Sequence, residues 1–439
     1  MNLKARVVSA SVWILAGYAG NQFIRIVTNL ILTRLLFPEA FGMMAVVFAV
    51  NTGVTLLTDI GISGGIVIHA NDVDESYLST AWTIQVVRGC LITVCMFAAA
   101  HPLAMAFSNA QLEPLFRIVA LGPAISGFTS TNVALADRRL QARRRVTLEL
   151  ANQIVSVCIT AVLAWTLRST TALAWGSIVA FIITVVTGHI FMPGPRSRFT
   201  WDREKASAIV SVGRLALLTS ALTFAAGEGS RLFSATMVDS RALGLISLAA
   251  GLATMPWQAI SRVSQRVLMP AYAELTRTGD LTRLRKALLK ARAVQIVPSW
   301  CANVLMIVLA DKIFGVLYDP RYSHAAHILQ IQSAGMLVGA VSASYEGVLW
   351  GMRRLSLSLA FQIAQSVFIW LGLGLGFLWG GPMGMVIGSA IASWALYPVS
   401  YLIFKRLGLA NLMFDMAIIV PSMICTALLI WLAPPVMSI

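Results

Sequence analysis

The sequence predicts an all-α integral membrane protein of two six-helix lobes related as a parallel repeat, with an extra C-terminal helix, making about 13 transmembrane helices in all. Three observations predict it: long apolar segments throughout the chain, basic residues crowded into alternate loops, and a short string that recurs about half a chain later. Of 439 residues, 58% are hydrophobic and 12% charged, against about 25% charged in a soluble domain. Too little polar surface is left for water.

The first apolar segment, 9–33, follows Lys4 and Arg6 with no small-residue cleavage site, so it is expected to stay in the membrane. Segments 42–68, 79–106, 114–136, 147–167 and 171–192 complete a first set of six. Segments 208–236, 243–267, 289–315, 327–350, 356–379 and 383–404 form a second set, and 412–434 stands alone. Each reaches the roughly 20 residues that cross a hydrocarbon core. Barrel strands would instead show roughly ten-residue alternation, which is absent. The five cysteines sit inside these segments and show neither zinc spacing nor a disulfide framework.

The net charge of +15 is explained by topology rather than by nucleic acid. With the N-terminus in the cytoplasm, one set of loops holds Lys4 and Arg6, then Arg138, Arg139, Arg143, Arg144 and Arg145, then Arg196, Arg198, Arg203 and Lys205. It continues with Arg277, Arg283, Arg285, Lys286, Lys290 and Arg292, then Arg353, Arg354, Lys405 and Arg406. The opposite set holds Arg34, Arg168, Arg241, Lys312 and Arg321, giving 21 against 5. The positive-inside rule therefore places the N-terminus in the cytoplasm, with attraction to anionic membrane lipids as a secondary use of the charge. The acidic loop carrying Asp72, Asp74 and Glu75 breaks the pattern, but acids weigh little in orientation.

Residues 144–154 read Arg-Arg-Val-Thr-Leu-Glu-Leu-Ala-Asn-Gln-Ile, and residues 353–363 read Arg-Arg-Leu-Ser-Leu-Ser-Leu-Ala-Phe-Gln-Ile, identical at seven of eleven positions. A weaker echo pairs Pro38–Gly42 with Ser240–Gly244 at a similar offset. Both Arg pairs open a predicted helix from the same side, and six helices separate the copies, so the repeat is parallel with its axis along the membrane normal. The lobes are then 1–200 and 201–410, with a seam in the polar loop 193–206 and the extra helix in 411–439.

Residues 33–42, Thr-Arg-Leu-Leu-Phe-Pro-Glu-Ala-Phe-Gly, resemble the first-loop pattern of polysaccharide transporters, and Thr58-Asp59-Ile60-Gly61-Ile62 resembles that family's Asp-x-Gly signature. With the basic stretch after helix four, the chain resembles, over roughly residues 1–410, the Wzx-like lipid-linked oligosaccharide flippases. These belong to the multidrug/oligosaccharidyl-lipid/polysaccharide exporter superfamily. That family has twelve or fourteen helices, so a thirteenth segment is a departure in the C-terminal tail. The resemblance implies export of an undecaprenyl-diphosphate-linked oligosaccharide across the bacterial inner membrane by alternating access, without covalent chemistry. It also implies work beside a polysaccharide polymerase and a chain-length regulator.

Ionisable groups at membrane depth are costly and mark cavities or partners. Arg25, beside Asn21, Gln22 and Asn29, and Arg88, one turn from Gln85, are expected to line a cavity, because depth makes snorkelling hard. Arg262 and Arg231 are further candidates, since guanidinium groups bind phosphate bidentately. Arg231 has Glu228 one turn away and could be neutralised by it. Asp59, Glu228 and Glu346 are candidate coupling or inter-lobe acids: Asp59 is expected to link to Arg262, and Glu346, beside Tyr345, is the best candidate for coupling to Na+ or H+. No other cofactor and no metal site is indicated. Gly372, Gly374, Gly376 and the pair Gly381-Pro382 are expected to weaken or bend their helices.

A cation-coupled multidrug exporter of the same superfamily would need acids, not arginines, to dominate its cavity. A lipid II flippase fits the same residues. A membrane glycosyltransferase or polysaccharide polymerase would need a sizeable external loop, whereas the longest, about 312–326, is short and carries only Asp319 and His324 beside the flanking Asp311 and His327.

Overall fold

The computed structural model of the protein describes residues 3–58, 62, 66, 74–138, 141–207, 209, 220–221, 224–225, 227–278, 281–352 and 354–432. Asp59 and Gly61 lie outside these residues, as do the side chains of Arg262 and Glu346. No strand occurs among the described residues. The chain forms two compact units, Met1–Phe224 and Ala225–Ile439. Eight described helices are long and apolar enough to cross a membrane, and the chain is a multi-pass membrane protein.

The first unit contains α1 (Leu3–Leu35), α2 (Pro38–Leu57), α3 (Glu75–Ala106), α4 (Leu112–Val119), α5 (Leu121–Gly127), α6 (Asn132–Arg138), α7 (Ala142–Leu167) and α8 (Thr171–Phe191). Pro38 opens α2, where its missing N–H costs nothing. Leu32, Leu36, Ala40, Ala164 and Ala172 bury one another where α1, α2, α7 and α8 meet. Small residues let backbones approach, as lipid-embedded helices require. Gly17 and Gly20 on α1 take Val146 and Leu150 of α7, and Gly89 on α3 faces the Pro123 carbonyl and Gly127 of α5. Asp74, in the acidic loop that departs from the charge pattern, caps α3 through the Tyr77 N–H at 2.9 Å and pairs with Lys205 at 2.6 Å. The hydrogen bond from Lys205, and then that from Tyr77, hold its carboxyl below the usual range.

One predicted span is corrected. Segment 114–136 is not one helix but α4, α5 and α6, with non-helical backbone at 128–131. Apolarity alone suggests a continuous span; local chemistry interrupts it. Gly127 ends α5, and the run Thr129-Ser130-Thr131-Asn132 offers the backbone side-chain partners in place of helical ones. Ser130 Oγ accepts the Asn132 N–H at 3.3 Å.

The second unit contains α9 (Glu228–Ala235), α10 (Ser240–Thr278), α11 (Leu281–Leu317), a 3-10 turn at Pro320–Tyr322, α12 (Ala325–Gly351), α13 (Leu355–Arg406) and α14 (Leu412–Leu432). α12 packs against α10, α11, α13 and α14. The stretch 281–288, which precedes the predicted span, is the first two turns of α11. Leu284 and Leu288 are buried at helical spacing while Arg283, Arg285 and Lys286 face outward. At 52 residues α13 is long enough to cross twice. It folds back at Gly380 and Gly381, the latter at φ 59°, which only glycine adopts freely. Gly372, Gly376, Gly384 and Gly388 then face one another across the two arms, each placed so that a Cβ would strike a backbone atom of the opposite arm. These glycines permit backbone contact; they do not bend the arms.

The last helix is tied down by a buried ion pair. Arg292 on α11 and Asp415 on α14 lie 2.8 Å apart, both fully buried. Tyr345 and Tyr397 donate to Asp415 Oδ2 at 2.8 and 3.1 Å, and Arg292 Nε donates to Ser344 Oγ at 2.8 Å. The guanidinium also lies 3.7 Å from the Tyr345 ring centroid. Trp300 Nε1 reaches Ser422 Oγ at 2.8 Å farther along α14. Arg292, counted among loop cations from sequence, is therefore a core residue, because helical register puts it on the buried face of Leu284 and Leu288.

Two expectations follow for the protein in detergent. Asp415→Ala strands the Arg292 charge and should destabilise the fold by about 3 kcal/mol or more, whereas the double change Arg292→Met with Asp415→Leu should recover most of that loss. Thermal unfolding reads both, and a double variant as unstable as the single one would contradict the pairing. Gly388→Leu should lower stability by at least about 2 kcal/mol by forcing the arms of α13 apart; an unchanged melting temperature would refute the backbone contact.

Candidate functional site

The interruption between α5 and α6 leaves carbonyls without helical partners, and neighbouring helices supply them. Gln85 on α3 donates through Nε2 to the Ser126, Gly127 and Thr129 carbonyls at 3.3, 3.1 and 3.2 Å. Trp82 Nε1 and His189 Nε2 both donate to the Phe128 carbonyl, at 3.3 and 2.7 Å. Non-helical backbone in a membrane protein is tolerated where it is so partnered or lines a cavity. This turn does both.

The cavity has a volume of 350 Å³ and is lined by residues of α2, α3, α5 and α6, the 128–131 turn, and Arg145 of α7. Arg88 comes from α3, one turn beyond Gln85. Its Nη2 donates to the Thr55 carbonyl at 2.6 Å, and its Nε and Nη2 reach Thr58 Oγ1 at 3.3 and 3.2 Å. It thus caps the carbonyl end of α2, where a cation also meets the negative end of the helix dipole. Arg145 is the second cation. It pairs with Glu149 one turn later on α7 at 2.7 Å. No carboxylate is among the described residues lining this cavity. The described lining thus carries two guanidinium groups beside turn backbone, Arg88 bonded to the end of α2 and Arg145 paired with Glu149.

A second cavity, of 620 Å³, lies between α1, α2, α7 and α8. Asn21 and Asn29 line it from α1, and Asn152, Gln153 and Glu149 from α7. Arg25 falls on the same face of α1 by register, half-buried, with no hydrogen-bond or ion-pair partner among the described residues. Gln22 is buried and donates to Tyr18 Oη at 2.5 Å.

The structure therefore brings Arg88 and Gln85 into one cavity and Asn21 and Asn29 into another. In the second unit Arg231 is ion-paired with Glu228 at 2.8 Å on α9. Arg262 falls within α10 and Glu346 within α12. Arg145 is absent from the sequence-derived site because it reads as one of a run of loop cations. The signal for it is Glu149 four residues on, which puts both on one helix face. In the 312–326 region, Asp319 caps the 3-10 turn and pairs with Arg321 at 2.7 Å, a structural use of that acid.

Residues 31–327 match the model of a family described as polysaccharide biosynthesis protein. The chain is 19% identical over 408 residues to the lipopolysaccharide biosynthesis protein WzxC of Escherichia coli (strain K12), covering 92% of this chain and 82% of that one. It is 24% identical over 340 residues to the succinoglycan biosynthesis transport protein ExoT of Rhizobium meliloti (strain 1021), covering 74% and 66%. Among solved structures it superposes on the lipid II flippase MurJ in an inward closed conformation with a TM-score of 0.73, at 11% identity, covering 98% and 93% of the two chains. A multidrug resistance MATE family transporter of the MOP superfamily, inward-facing, gives 0.72 at 15% identity, covering 92% and 97%. The fold is thus the one shared by MATE transporters and MurJ, and the chain belongs to the polysaccharide biosynthesis protein family.

Proposed function

We propose that the protein is a flippase that moves an undecaprenyl-diphosphate-linked oligosaccharide, the repeat unit of a polysaccharide, across the bacterial inner membrane by alternating access. The observation that carries this reading is the cavity holding Arg88 and Arg145 with no carboxylate among its described lining. A diphosphate head group brings negative charge and several acceptor oxygens into a medium where charge is costly, and paired guanidiniums offset that cost. Family membership and the relatives' printed roles in lipopolysaccharide and succinoglycan biosynthesis point the same way. On this reading the N-terminus is cytoplasmic, Na+ or H+ drives the cycle, no bond is made or broken, and a polymerase and chain-length regulator take the product.

A multidrug exporter would present carboxylates to a cationic drug, whereas the described lining of the Arg88 cavity carries two guanidinium groups, one of them paired with Glu149. A lipid II flippase carries the same diphosphate and differs in its sugars.

In cells lacking this protein, plasmid-borne Arg145→Ala should restore surface polysaccharide at least about ten-fold less well than wild type, for loss of one charge-assisted contact. Arg88→Lys should fall between wild type and Arg88→Ala, since an ammonium keeps the charge but not the fork. Both are measured at matched protein levels by immunoblot and polysaccharide quantitation. Full restoration by Arg145→Ala and Arg88→Ala together would rule the cavity out as the head-group site.

A further inference from the structure

We infer that the 620 Å³ cavity of the first unit receives the uncharged glycan of the substrate while the Arg88 cavity holds its diphosphate. This rests on the flippase reading and adds a second site to it. The hydrogen-bonding state of the lining carries the inference. Thr28, Ser156 and Thr160 each donate their hydroxyl proton to a carbonyl of their own helix, at 2.7 Å. Their oxygens are left as acceptors toward the cavity.

Two of the four lining amides are in the opposite condition, whereas Asn152 Nδ2 donates to Thr187 Oγ1 at 2.8 Å. The side chains of Asn21 and Asn29 have no hydrogen-bond partner among the described residues. Gln153 donates to the Asn21 carbonyl at 3.4 Å, and its Oε1 is buried without a partner. Unpartnered amides inside a membrane-spanning unit are costly, and here they sit within one cavity. Neutral donors and acceptors in that density match a ligand whose every group both gives and takes a hydrogen bond, which describes a sugar hydroxyl. A bare phosphate would ask for cations. A drug cation would ask for a free carboxylate, and the Glu149 lining this cavity is already paired with Arg145. Phe41 and Phe48 line the same cavity and supply flat apolar surface for the C–H faces of a pyranose.

The two cavities also meet at one ion pair, as a substrate of this kind requires. Its first sugar is bonded directly to the diphosphate, so charge site and sugar site must adjoin. Arg145 lines the smaller cavity, its ion-pair partner Glu149 lines the larger, and the pair spans 2.7 Å.

The test uses the full-length protein in detergent micelles and native mass spectrometry. The probes are bare undecaprenyl diphosphate and the undecaprenyl-diphosphate glycolipids extracted from the source organism after deletion of this gene. Wild type should favour the glycan-bearing lipids. Asn21→Leu with Asn29→Leu should lower the ratio of glycan-bearing to bare lipid about ten-fold, while bare-lipid occupancy stays within about two-fold of wild type. Retained bare-lipid binding also reports a folded protein. An unchanged ratio would overturn the inference and leave the cavity to water. If the leucine variants lose both lipids, Asn21→Ser with Asn29→Ser decides: a lowered ratio supports the glycan site and an unchanged one overturns it. A wild-type protein that binds bare and glycan-bearing lipid equally would overturn the glycan site alone, and one that binds neither would overturn the flippase reading as well.

Discussion

Inside a membrane a backbone carbonyl released from its helix has no water to turn to, and an unpaired one costs several kcal/mol, on the order of a whole helix cap or more. The 128–131 turn of the first unit, with Ser130 and Thr131 buried in the protein, meets a like constraint. Gln85, Trp82 and His189 meet it from two other helices. Arg88 does the same at the end of α2. The groups that make the interruption affordable are also those that surround the cavity, so the polar character of the site follows from breaking a helix there. A continuous helix through 114–136 would have carried its hydrogen bonds internally and left α3 no reason to present Gln85.

The second unit spends its buried polarity differently. Arg292 and Asp415 are both fully enclosed, and their desolvation offsets much of their mutual attraction. Two tyrosine hydroxyls and a serine share in their hydrogen bonding and lower the cost of burial, while Arg292 Nη1 and Asp415 Oδ1 make no hydrogen bond among the described residues. Net stability is therefore a weak reason for the pair. Its geometric effect is stronger: it fixes where α14 begins relative to α11 and α12, and α14 is the segment that a two-lobe plan does not require. The glycines of α13 act with similar economy, bringing two arms together by removing side chains where carbonyls must pass.

Much of this was legible in the sequence. Hydrophobic length located most spans, and depth drew attention to Arg88 and Gln85, which do share a cavity. The failures have physical causes. Apolar content cannot register a helix break, because Thr129, Ser130 and Thr131 barely lower the mean hydropathy of the span; the hydroxyl competition for the backbone is local chemistry. Arg145 and Arg292 were hidden among basic neighbours, since a charge run has the same composition whether its members face solvent or a cavity. Helical register separates them: Arg292 lies on the face of Leu284 and Leu288, and Arg145 on that of Glu149. Asp415 is the one charged residue in the apolar run 412–434, and that isolation is the signal for a buried partner. Gly372 and Gly376 read as flexible points because glycine permits both motion and contact, and only the opposing arm shows which is in use.

Transport of the lipid-linked oligosaccharide itself is the point on which the functional reading turns. Purified protein can be reconstituted into liposomes carrying the glycolipids of the source organism on both leaflets, and a membrane-impermeant periodate reagent added outside. With wild-type protein and an imposed Na+ or H+ gradient, oxidation should pass beyond the outer-leaflet half toward completion, and with Arg145→Ala it should stop near that half. Wild-type vesicles that plateau with protein-free ones under either gradient would contradict the proposal.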